Sequence, residues 1–203
     1  MKRSGDPARR AAEDARDWAL IRAIGAGDQQ ALAELYRRHH DTLYRFVLRV
    51  TRRVEDVEEV VNDVMHIVWQ QAARAEPRAL ASTWMFAIAH RCALKSLSRR
   101  VADGAMLDDD DPRMGAEAAA LQDVDAADLL AKALAVLPAE QRAVMELVYA
   151  EGLHYREIAA VLDCPENTVK TRVFHARRKL KAQWAALTGG KRTESAGTES
   201  EPT

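Results

Sequence analysis

Four consecutive aspartates, Asp108 to Asp111, mark a stretch unlike the rest of the chain. Residues 101–127 carry 8 acidic side chains and one basic, Arg113, with Gly104, Pro112 and Gly115 interspersed. Like charges at that density repel one another and cannot form a core, so the segment reads as an acidic flexible linker. It divides the 203 residues into two densely periodic stretches, 26–100 (12 basic, 9 acidic) and 128–187 (9 basic, 7 acidic). Residues 1–25 read as a loose N-terminal arm ending in a short helix around Trp18–Ile24. Residues 188–203, rich in Gly, Ser, Thr and Glu, read as a disordered tail.

Ala, Leu, Arg and Glu dominate and aromatic residues are only 5%, a mixture that favours helices over strands. The expected fold class is all-α, with two small helical domains joined by the acidic linker. A net charge of −1 argues against a general nucleic-acid coat or membrane-surface protein. Cys92 and Cys164 are too few for a disulfide scaffold and suit a reducing compartment. The charged stretch from Met1 to Arg22 lacks the apolar core of a signal peptide, and no run is long and apolar enough to span a membrane. A cytoplasmic protein without stable membrane insertion is expected.

In the first stretch, Leu32, Leu35, Tyr36, Leu43, Phe46, Val47 and Val50 fall at helical spacing. Val57, Val60, Val61, Val64 and Val68 do the same for a second helix, whose other face carries Glu59, Asn62, Asp63 and His66. A third helix, about Ser82 to Arg100 with Ser82 as N-cap, starts apolar at Trp84, Met85, Phe86 and Ile88. It ends basic at Arg91, Lys95, Arg99 and Arg100.

In the second stretch a helix over Leu129–Leu137 stops before Pro138. Another runs from about Ala139 to Ala150 and ends near Gly152. Two further helices, about Tyr155–Leu162 and Pro165–Trp184, are separated only by Asp163-Cys164. That spacing predicts a helix-turn-helix over residues 155–178. On a helical wheel Val169, Val173, Ala176, Leu180 and Trp184 face inward, with Thr171, His175 and Arg178 opposite and Asn167 and Thr168 at the leading end. From Pro165 to Trp184 there are six Lys or Arg against one acid, Glu166, which suits contact with DNA.

Residues 137–180, from Leu-Pro-Ala-Glu-Gln-Arg through Glu157-Ile158-Ala159 to Asn167-Thr168-Val169-Lys170-Thr171-Arg172 and Ala176-Arg177-Arg178-Lys179-Leu180, resemble region 4 of bacterial sigma factors. The first stretch resembles region 2 in Asp56-Val57-Glu58-Glu59-Val60-Val61-Asn62-Asp63-Val64 with Trp69, and in Trp84-Met85-Phe86-Ala87-Ile88-Ala89-His90. Both regions in order, covering about residues 26–185, resemble the extracytoplasmic-function (ECF) group.

The resemblance implies a factor that binds core RNA polymerase and directs it to promoter DNA. It puts the second helix of the helix-turn-helix in the −35 element, with Lys170, Thr171 and His175 as base readers. Arg172 and Arg178 are then expected on phosphates, with Asn167 and Thr168 at the N-terminal end of the helix, where groove-reading residues belong. Melting of the −10 element falls to Trp84, Arg91, Lys95, Arg99 and Arg100, next to the loop Ala73 to Ala81, where the family's −10 specificity loop lies. Arg91 and Lys95 depart from the family's usual Asn and Asp there. Glu59, Asn62, Asp63 and His66 match the family's docking surface for the polymerase clamp, and an anti-sigma factor is an implied further partner. No Gly-rich phosphate loop, nucleophile constellation or carboxylate pair points to catalysis, and no cofactor, metal or small-molecule substrate is expected. His39, His40, His90 and Cys92 lack the spacing of a metal site. An autonomous helix-turn-helix repressor or activator shares the second stretch but leaves the polar face around Glu59 unexplained.

Overall fold

The computed structural model describes residues 7–102, 134 and 136–189. Among these it forms seven α-helices, one 3-10 turn and no strand. The first region comprises α1 (Pro7–Gly25), α2 (Gln29–Thr51), α3 (Val54–Gln71), the turn Ala72–Arg74 and α4 (Ala81–Ala102). The second comprises α5 (Ala139–Tyr149), α6 (Tyr155–Val161) and α7 (Glu166–Gly189). The all-α expectation holds. The helix expected over Leu129–Leu137 lies almost wholly outside the described residues, as do residues 103–127 of the linker and 190–203 of the tail.

The stripes account for the helices they define. Leu35, Leu43, Phe46, Val47 and Val50 of α2 are buried, as are Val57, Val60, Val61, Val64 and Val68 of α3. The rigid valines pack well at i, i+3 and i+4 despite their strand propensity. Asp28 starts α2 by accepting from the Gln30 and Ala31 N–H groups at 2.8 and 3.1 Å. The α2–α3 connection is only Arg52-Arg53, and Arg52 takes a left-handed φ of 57° to make the corner.

The N-terminal segment differs from expectation. It is a helix from Pro7 onward, and Trp18, Ile21 and Ile24 are buried in the shared core. Asp17, midway along it, is itself buried, bonded to Arg38 and His39 at 2.8 Å each. Burial pushes the Asp17 carboxyl up, but these two partners outweigh it and hold it below the usual range. The start of α4 differs too. Ser82 is not its cap; the helix begins at Ala81, whose N–H donates to Asp14 of α1 at 2.6 Å.

The two regions are packed together, α5 on α2 and α6 on α4, over one continuous apolar cluster. Arg142 of α5 is buried and donates to the carbonyls of Leu137 and Val50, the latter at 2.9 Å. Beside it the buried Glu146 pairs with Arg49 of α2 at 3.1 Å. Burial raises the Glu146 carboxyl to about 7, with Arg49 and Arg45 opposing the rise and Glu151 adding to it. His90 of α4 is buried near Glu140 and Arg172 without a hydrogen bond at Nε2, and burial lowers it to about 4.

The packed state therefore favours protonated Glu146. Its contribution to stability is complete below the ordinary glutamate value of 4.5 and is lost as pH rises to about 7. Glu146→Gln is expected to match the native chain near pH 4 and to melt progressively higher than it up to pH 7, levelling off beyond. Thermal unfolding across that range checks this; a gain independent of pH contradicts it.

Candidate nucleic-acid and polymerase interfaces

The helix-turn-helix forms where the spacing put it. Glu157 reaches back to the His154 N–H at 2.7 Å and starts α6. Gly152 just before it has φ +64°. Asp163 adopts φ 49° in the turn and lets α7 leave at once, its first bonds running from Thr168 and Val169 to the Pro165 carbonyl.

Val169, Val173 and Ala176 of α7 are buried, as the wheel requires. Trp184 is the exception: it is 47% exposed rather than packed inward. The outer face brings together the expected readers Lys170 and Thr171 and the expected phosphate contact Arg178, with Asn167 exposed at the leading end and Thr168 half-buried. Thr171 donates to the Asn167 carbonyl at 2.9 Å, and Lys170 pairs with Glu166 at 2.9 Å.

Two expected contacts are placed differently. Arg172 turns inward to Glu140 of α5 and lies 3.8 Å from the Cys164 sulfur, with its side chain only 22% exposed. It fastens α7 to its neighbours instead of lying on the outer face. His175 is half-buried, edge-on to Phe174 at 5.5 Å.

Two residues of this face were missed. Phe174 is 62% exposed between Thr171 and Arg178, three and four positions away. Arg177 donates to the Tyr149 hydroxyl at 2.6 Å and lies over its ring. An apolar residue at the centre of the wheel's polar side was the available signal for Phe174.

On α3, Glu59, Asn62, Asp63 and His66 are all exposed along one face, at i, i+3, i+4 and i+7. Arg99 of α4 pairs with Glu59 at 2.9 Å, and His66 faces Gln70 at 2.8 Å. Arg100 donates to both oxygens of Asp56 at 2.8 Å. The four basic residues of α4 thus divide: Arg91 and Lys95 are exposed, while Arg99 and Arg100 lean on α3 carboxylates. Trp84 is half-buried with its ring 6.0 Å from that of Trp18, whereas Phe86 is buried edge-on to Phe46 at 5.2 Å. The arrangement is a basic outer face on α7, a basic flank on α4 and an acidic face on α3. No His/Cys/Asp/Glu cluster among the described residues is suited to a metal.

Family models give the same division. Residues 35–102 match Sigma-70 region 2, and residues 127–180 match Sigma-70, region 4. The ECF RNA polymerase sigma factor SigM of Mycobacterium tuberculosis is 33% identical over 165 residues, covering 81% of this chain and 82% of that protein. The chain belongs to the ECF sigma factors of bacterial RNA polymerase. RpoE of Cereibacter sphaeroides, another ECF sigma factor, is 33% identical over 175 residues, covering 83% of this sigma factor and 95% of the relative. Two solved structures share the fold. CnrH in complex with the cytosolic domain of CnrY has TM-score 0.63 and 23% identity, over 84% of this chain and 98% of that one. RpoE in complex with the anti-sigma factor NepR from Bartonella quintana has TM-score 0.59 and 21% identity, over 74% and 94%. No described helix of this sigma factor is long and apolar enough to cross a membrane.

The different placement of the two arginines gives a direct test. Arg172→Ala is expected to cost about 1 kcal/mol by releasing the pair with Glu140. Arg178→Ala on the outer face is expected to stay within about 0.5 kcal/mol of the native chain. Urea unfolding of the two variants compares them; equal losses contradict the inward placement of Arg172.

Proposed function

We propose that this sigma factor docks on core polymerase through Glu59, Asn62, Asp63 and His66 and reads promoters through α7 and the α4 flank. The observation that carries the reading is that one chain pairs the basic face of α7 with the acidic face of α3. A repressor acting alone has use for the first and none for the second. The α3 carboxylates suit a basic docking partner on the polymerase, where charge complementarity sets approach and register.

On the −35 element, α7 lies in the major groove with Lys170, Thr171, Phe174 and His175 toward base edges. Arg177, Arg178, Asn167 and Thr168 hold the phosphates and fix the register. On the −10 element, Arg91 and Lys95, with Arg99 and Arg100 behind them, track the separated strand. Trp84 and the loop 73–81 receive unstacked bases. The factor does no catalysis itself; it supplies promoter selection to the polymerase, in the cytoplasm. An anti-sigma factor holds it in reserve, as the structural relative RpoE in complex with the anti-sigma factor NepR suggests, and a stress- or envelope-responsive regulon is its output.

The test is run-off transcription from a genomic promoter pool with purified bacterial core polymerase. Specific transcripts are expected only when the chain is added. Asp63→Arg is expected to abolish core binding with the fold intact. Thr171→Ala is expected to change −35 preference. Arg178→Ala is expected to weaken binding on every sequence and reduce its salt slope by about one. Tight duplex binding by the chain alone, with no affinity for core, overturns the reading.

A further inference from the structure

We propose that α1 is the positioning element for the segment 73–81, with Asp14, Trp18 and Gly25 as its positioning residues. The inference rests on the assignment of that segment to −10 recognition. It goes beyond that assignment because α1 lies wholly outside residues 35–102, which match the region 2 family model.

One row of α1 reaches both ends of the segment. Gly25, the last residue of α1, abuts the 3-10 turn where the segment begins. A Cβ there would lie 2.8 Å from the Ala73 Cα and 2.9 Å from its nitrogen, so only glycine permits the approach. At the far end, Trp18 Nε1 donates to the Ala79 carbonyl at 3.1 Å. Four residues earlier on the same face, Asp14 accepts from the Ala81 N–H at 2.6 Å. That N–H is one of the orphan donors at the start of α4, and a carboxylate there also opposes the helix dipole. Between these anchors Glu76, Pro77 and Arg78 are exposed, with Arg78 paired to Glu76 at 2.7 Å.

Trp18 does a second job. It is 4% exposed, and its ring lies 6.0 Å from that of Trp84, so the same indole touches a −10 candidate and holds the loop carbonyl. Fixing both ends removes conformations that a base-reading loop would otherwise lose on binding, and that cost falls on discrimination. The helix therefore sets −10 selectivity without touching DNA.

The experiment uses the full chain with core polymerase, on a promoter recovered by the run-off assay and on single-base variants of its −10 and −35 elements. Trp18→Phe, which keeps a packed ring and removes the N–H, and Asp14→Ala are each expected to lower the ratio of parental to −10-variant transcription by about fivefold. Discrimination at −35 and affinity for core are expected to stay as in the native chain. Asp14→Asn, whose amide oxygen still accepts from Ala81, is expected to retain native −10 discrimination. If both α1 variants leave the −10 ratio within about twofold of native while Glu76→Ala and Arg78→Ala shift it, the clamp is overturned and the loop assignment stands. If the tip variants also leave it unmoved, the loop assignment fails and the clamp falls with it. A parallel fall in −10 ratio, −35 ratio and core affinity reduces α1 to a stabilising helix and overturns the proposal.

Discussion

The guanidinium of Arg142 decides how the two regions meet. A buried cation is costly unless its donors are satisfied, and this one finds the Leu137 carbonyl on its own side and the Val50 carbonyl across the boundary. Val50 lies in the last turn of α2, where helix carbonyls have no partner within the helix. In the same turn Leu48 accepts from the Arg52 N–H and Val47 from the Thr51 hydroxyl. Arg142 supplies the donor to Val50 and brings positive charge to the negative end of the α2 dipole. α5 packs on α2 and α6 on α4, and most of the buried apolar residues of both regions share one core, while Leu137, Met145 and Ala176 form a second, smaller cluster.

The same arrangement sorts the charged groups by task. Those on the boundary face one another: Arg49 meets Glu146, and Arg10 of α1 meets Glu157 of α6 at 3.1 Å. The outer surface of α7 is predominantly basic and that of α3 predominantly acidic, although Glu166 pairs with Lys170 on the first and Arg99 with Glu59 on the second. A chain with net charge −1 thereby carries separate acidic and basic faces, and its total says little about either.

Where burial followed from spacing, the structure was legible in the sequence. The apolar rows of α2, α3 and α7 and the short helix-turn-helix with its following basic helix could be read directly, because period and turn chemistry agree there. α1 was not legible. Its apolar residues Trp18, Ile21 and Ile24 are sparse, and its charged residues act through partners distant in sequence: Asp17 with Arg38 and His39, Asp14 with the Ala81 N–H. A polar side chain that caps another helix looks on a wheel like one that faces water. Arg172 was misplaced for the same reason, since Glu140 lies in another helix and no periodicity marks an ion pair across elements. Trp184 shows the reverse error: the inward row was extended past Leu180, and the ring is 47% exposed. Phe174 was legible in principle, since an apolar residue between Thr171 and Arg178 on the polar side of the wheel has no core to enter, and the structure leaves it exposed.

The contact between α5 and α2 joins two parts of a single chain, which gives it the behaviour of a latch. Residues on either side of an intramolecular contact meet at an effective concentration on the order of millimolar whatever the amount of protein present. Dilution therefore leaves the latch shut. A partner that needs the two regions apart must bind the separated arrangement more tightly than the joined one, by at least the free energy that the Arg142 and Glu146 contacts and the shared core contribute. A partner that recognises the joined arrangement has its binding surface assembled beforehand and spends nothing on bringing the two regions together.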